Sequence, residues 1–90
     1  MHETGIVRDV VRRVEAAARE ARAFRVSGVT VWLGALSQFS PTHFREHFDE
    51  EVRGTLAEHA RLSIEISTDL RDPNALSVVL RDLEFEVVDR

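Results

Sequence analysis

Apolar and polar positions alternate along this chain in five distinct patterns. Over residues 6–21, Val7, Val10, Val11, Val14, Ala17, Ala18 and Ala21 recur at helical spacing, while Arg8, Arg12, Glu15, Arg19 and Arg22 fall on the other side. This predicts an amphipathic helix with Thr4 as its N-cap and with Asp9–Arg13 and Glu15–Arg19 as i,i+4 pairs in the favourable acid-first order. After a small-residue break at Ser27-Gly28, Val29, Val31 and Leu33 alternate with Thr30, Trp32 and Gly34, the period-two signature of a half-buried strand that ends at Leu36-Ser37. Ser40 and Pro41 then supply the cap and first residue of a second helix, in which Phe44, Phe48 and Val52 form a narrow apolar seam before Gly54 stops it. Two further runs alternate with period two: Leu62, Ile64 and Ile66 against Arg61, Ser63 and Glu65, and Val79, Leu83, Phe85 and Val87 against Asp82, Glu84 and Glu86.

The links between these runs predict how the strands pair. Asp72-Pro73-Asn74 supplies turn chemistry on a short connection, so the last two strands are expected to form an antiparallel hairpin. The first strand reaches the second through a helix, and such a crossover joins parallel strands. The expected fold is a single α+β domain spanning residues 1–90: a two-layer arrangement with a three-stranded mixed sheet and both helices packed on its Val29/Ile64/Phe85 face. Val10, Val14, Val31, Leu33, Phe44, Phe48 and Leu62 belong to the same core. The opposite face is expected to carry Trp32, Glu65, Asp82, Glu84 and Glu86, which makes Trp32 partly exposed: either a contact surface or simply cover for the back of the sheet. The free edges of so small a sheet predict self-association as a homodimer or capture of a partner.

Composition removes several classes of function. A net charge of −4, with arginines interleaved among acids, offers no stripe for nucleic acid. No run approaches the roughly 18 apolar residues of a membrane span. Arg8, Asp9, Arg12 and Arg13 interrupt every early apolar stretch, so no signal peptide is read and a cytoplasmic location is expected. The absence of Cys removes disulfides and thiolate metal sites. No nucleophile–base pair or close carboxylate dyad stands out, so an enzyme is not expected.

Two places carry metal chemistry. At Met1-His2-Glu3, a free α-amine, an adjacent backbone amide and the His2 imidazole can close fused small rings on one ion, a nitrogen-rich donor set that suits Ni(II) and Cu(II). Only an unblocked Met1 can ligate in this way, and taken alone the tripeptide reads more simply as a frayed terminus. His43 and His47, four apart on the second helix, project from one face and could chelate between them. Without a third strong ligand at matching spacing they read more simply as surface residues.

In order along the chain stand Met1-His2-Glu3 directly before a helix, Gly34 and Leu36-Ser37 at a strand end, Pro41 and Phe44 opening the second helix, and Arg53-Gly54-Thr55 closing it. The final strand carries Leu83-Glu84-Phe85-Glu86-Val87. This ordered set resembles the nickel-binding domain of the HypA metallochaperones, which help mature nickel-iron hydrogenase and, in some organisms, urease. The resemblance covers nearly the whole chain. It implies that Ni(II) is held by the Met1 amine, the His2 imidazole and the backbone nitrogens of His2 and Glu3. It also implies docking to a GTPase maturation partner and to the hydrogenase large subunit. Thr4-Gly5 and Ala35 depart from the family, which usually has Leu and then Ser after Met-His-Glu, and Glu after the strand Gly. The family also inserts a zinc module with paired CxxC motifs between its last two strands. Here residues 67–75 close that gap, so no zinc is expected. A competing reading keeps the fold without the metal: a metal-free protein–protein module in hydrogenase maturation, working through Trp32 and the acidic sheet face.

Overall fold

In the computed structural model, which describes residues 3–88, the elements follow as helix, strand, helix, strand, strand: α1 (Glu3–Glu20), β1 (Ala23–Leu33), α2 (Pro41–Glu51), β2 (Arg61–Ile66) and β3 (Val78–Val87). The sheet order is β2-β1-β3, with β1 parallel to β2 and antiparallel to β3. The α+β class, the mixed three-stranded sheet and the element order are therefore as the sequence predicts.

The expected hairpin is not formed. β2 and β3 flank β1 on opposite sides, and the connection between them crosses over the end of β1 instead of turning back beside it. Three backbone bonds hold it there: Ser67 N donates to Leu33 O at 2.9 Å, Gly34 N to Ser77 O at 2.9 Å, and Leu36 N to Ala75 O at 2.7 Å. Gly34 is what allows this approach, because a Cβ at this position would lie 2.2 Å from the Ala75 carbonyl oxygen. The obstruction is backbone, so it cannot rotate away. Gly34→Ala is expected to cost about 1–3 kcal/mol by forcing the crossing segment off the sheet, read as a lowered urea midpoint at unchanged slope.

β1 starts earlier and stops sooner than its alternation suggests. Ser27-Gly28 lies inside the strand, and the strand ends at Leu33, not at Leu36-Ser37. Bulging hides the early start: Phe24 and Ser27 on β1, and Arg81 on β3, have no cross-strand partner in the β1/β3 ladder. Each extra residue flips the face presented by its neighbours. Val26 and Val29 thus both reach the core across Ser27, and Leu83 and Leu80 do so across Arg81. Val78 and Leu80, not Val79, are therefore the inward residues at the start of β3.

α1 begins at Glu3, so Thr4 lies within the helix and does not cap it. Asp9–Arg13 and Glu15–Arg19 form as expected, at 3.0 and 3.8 Å. Only Ala21 and Arg22 separate α1 from β1, with Arg22 in the left-handed region at φ 55°, so helix and strand run in opposite directions. In α2, Ser40 Oγ accepts from His43 N at 3.1 Å and Pro41 opens the helix, as its sequence indicates.

Both helices cover one face of the sheet. Val7, Val10, Val11, Val14 and Ala18 of α1 meet Phe44, Phe48 and Val52 and the β1 residues Val26, Val29, Val31 and Leu33 in one core. Leu62 is buried as expected, but Ile64 and Phe85 are only partly so, since both edge strands leave one flank uncovered.

Candidate metal centre

Of the three residues expected to carry metal, Met1 and His2 lie outside the described residues, and Glu3 is the first residue of α1. The first four N–H groups of a helix have no acceptor within it. The backbone nitrogen of Glu3 is thus one that α1 does not use.

The opening turns of α1 are tied down from two sides. Val7 is fully buried beneath them. On the outside, Arg8 clamps Glu51 at the end of α2 with two bonds, Nε to Oε1 at 3.1 Å and Nη2 to Oε2 at 3.2 Å. The hydrogen bonds from Arg8 hold the Glu51 carboxyl below the usual range for glutamate against the opposing effect of burial, with lesser help from the positive charges of Arg8, Arg12 and His47. Sequence reading places Arg8 on a solvated face and does not see this clamp, because nothing local in the chain couples positions 8 and 51.

A depressed carboxyl pKa stabilises the fold above the unfolded value, near ~4.3 for glutamate, and the contribution disappears as pH falls from there through the lower folded value. Wild type and Glu51→Gln are therefore expected to differ in melting temperature at neutral pH and to converge in acid. A constant gap down to pH ~3 would show that the clamp contributes nothing through its charge.

His43 and His47 do share one side of α2. His43 is exposed and His47 half-buried, and no group of three or more His, Cys, Asp or Glu side chains suited to a metal occurs among the described residues. By themselves the two histidines are not a site.

The far face of the sheet is less acidic in effect than its sequence suggests. Arg25 pairs with Glu86 at 2.9 Å, Arg61 with Glu84 at 2.7 Å, and Arg81 with Glu65 at 3.5 Å. The Arg61–Glu84 pair spans from one edge strand to the other above Gly28, whose missing side chain leaves room for it. Trp32 is half-buried, with the Arg81 guanidinium 5.8 Å from its ring centroid. Beside it, Asp72, Asn74 and Val79 complete an open cleft of about 230 Å³. No helix among the described residues is long and apolar enough to cross a membrane.

Residues 1–70 match the family described as hydrogenase/urease nickel incorporation metallochaperone, HypA. The chain belongs to the HypA family. Among curated HypA proteins, the hydrogenase maturation factor HypA of Methylocella silvestris is 42% identical over 66 residues, covering 73% of this chain and 58% of that protein. The factor of the same name from Chlorobium limicola is 42% identical over 65 residues, covering 72% and 56%. The chain thus spans less than three fifths of the length of the HypA relatives it matches. In three dimensions it superposes on the solution structure of the Ni metallochaperone HypA from Helicobacter pylori with a TM-score of 0.81, at 17% identity, covering 98% of this chain and 100% of that one. That likeness extends the shared HypA fold beyond residue 70, where the family match ends, to include β3.

Proposed function

We propose that this chain is a nickel metallochaperone that binds Ni(II) at its N-terminus and helps deliver it during hydrogenase maturation. The observation that carries this reading is the family match beginning at residue 1, so that Met1-His2-Glu3 falls within it, at the head of a helix pinned by Val7 and by the Arg8–Glu51 clamp. Nickel here is cargo. The Met1 amine, the His2 imidazole and the backbone nitrogens of His2 and Glu3 would hold it, a set drawn from one end of the chain and open to exchange, as transfer requires. A GTPase of the maturation machinery and the hydrogenase large subunit are the proposed partners. With no Cys in its 90 residues, the chain has no thiolate zinc site of its own to couple to nickel.

Calorimetry on untagged protein at neutral pH tests this. Wild type is expected to bind one Ni(II) tightly, and His2→Ala to lose that event. Unchanged binding by His2→Ala would place nickel elsewhere and overturn the terminal site. The second reading, a metal-free interaction module of the same fold, draws support from the Trp32 cleft. It requires wild type to bind no nickel in the same titration.

A further inference from the structure

We propose that the free edge of β3 docks an extended segment of a partner protein, one that alternates basic and apolar residues and adds to the sheet as a fourth strand, antiparallel to β3. This goes beyond the nickel site and does not depend on it. With the sheet order β2-β1-β3, only one side of β3 is taken by β1. Ser27 Oγ donates to Glu84 O at 3.2 Å, so the backbone groups of Glu84 face β1. The N–H and C=O of one residue point to the same side, and that side reverses at each step along the strand. Those of Leu83, Phe85 and Val87 therefore face the open edge, where no other backbone group among the described residues bonds them. Such a row of unpaired groups is a template for another strand.

Of the two sheet edges, β3 is the longer, at 10 residues against 6 for β2. Its bulge at Arg81 precedes the run 82–87, which contains no Pro. That run has two unlike faces. On the helix side Leu83 and Phe85 are only partly buried and Val87 is exposed, so apolar side chains on an added strand would take further apolar area out of water. On the far side stand Asp82, Glu84 and Glu86. Glu84 and Glu86 each meet one arginine from within the sheet, whereas Asp82 forms no ion pair among the described residues. The outer row of β3 is thus acid throughout, while that of β2 carries both signs, at Arg61 and Glu65.

This acidic row selects the occupant. If a second copy laid its own β3 here with apolar face beside apolar face, acid would stand across from acid, and like charges so placed are destabilising. Lysines or arginines at alternate positions of a different strand meet the opposite sign instead.

Blocked six-residue peptides titrated into isotope-labelled protein and followed by amide NMR test this. Lys-Val-Lys-Val-Lys-Val is expected to bind at least about tenfold more tightly than Glu-Val-Glu-Val-Glu-Val, and to weaken as salt rises. It should slow hydrogen exchange at the N–H groups of Leu83, Phe85 and Val87, while those of Glu84 and Glu86, which face β1, change little. In an antiparallel pair the residues opposite Leu83, Phe85 and Val87 are the ones that bond them. Methylating the backbone nitrogens of the peptide's valines should therefore abolish binding, and methylating those of its lysines should not. Asp82→Lys should weaken binding about fivefold. Absent or equal binding of the two peptides, protection elsewhere in the protein, or loss on lysine methylation instead of valine methylation overturns the docking site. So does concentration-dependent protection of the same amides without peptide, which assigns the edge to a second copy.

Discussion

Acetylation of the Met1 α-amine is expected to abolish tight one-to-one nickel binding while leaving the melting temperature of the apo-protein unchanged. The amide so formed has no basic lone pair, and without the amine the chelate rings on that side cannot close. Loss of a group that merely supports a ligand already costs about 10–100-fold in metal affinity, and loss of the ligand itself exceeds that. The same chemistry gives a pH dependence of definite sign. A free imidazole titrates near ~6.5 and a free α-amine near ~7.7–8.0, and protons compete with metal for both, so affinity falls steadily on acidification. Cu(II) is expected to bind more tightly than Ni(II), since the same donors follow the Irving–Williams order, and selectivity then rests on partners or metal supply. Acetylated and free proteins compared by calorimetry at neutral pH decide the matter. Equal affinities would remove the terminal amine from the site.

Phe48→Ala is the substitution expected to damage the fold most. Phe48 is 1% exposed, its ring stacks at 6.3 Å on Phe44, and Phe44 meets Phe39 edge-on at 5.4 Å, so the truncation removes the end of an aromatic row within the core and leaves Phe44 without its stacking partner. Large-to-small changes at such positions cost about 3–5 kcal/mol, a large part of the ~5–15 kcal/mol available to a domain. At about 4–8 °C per kcal/mol for a chain of this size, the melting temperature should drop by about 12 °C or more. A thermal melt that barely moves would mean that α2 does not dock through this seam.

What the sequence makes legible here is local, and what it hides is long-range. Ser40, Pro41 and the Phe44/Phe48/Val52 spacing announce α2 because cap and periodicity are both written within a dozen residues. The alternation at Val29, Val31 and Leu33 announces only the second half of β1, since the bulge at Ser27 breaks the period between Val26 and Val29. Turn chemistry at Asp72-Pro73-Asn74 is present and misleads: those residues do turn, but the Gly34 contact with Ala75 sends the chain across β1 instead of back along β2. The Arg8–Glu51 clamp leaves no trace in either residue's neighbourhood. The metal chemistry proposed for Met1 and His2 rests on sequence alone, and those residues lie outside the described structure.

The crossing at Gly34 also governs how this domain can form and how it can change. No two neighbouring strands are joined by a short loop: the β1/β2 ladder runs from Gly28↔Arg61, and the β1/β3 ladder from Ala23↔Val87. No local hairpin can therefore nucleate the sheet, and topologies dominated by such distant pairings fold slowly. The same geometry makes the segment between β2 and β3 cheap to lengthen, because each doubling of a loop adds only about 0.6 kcal/mol of closure entropy. A longer segment is expected to be tolerated beyond the sheet end, provided that Ser67 and Ser77 keep their bonds to Leu33 and Gly34. The two-layer body is thus a chassis whose length can vary at that one seam while its helix pair stays where it is.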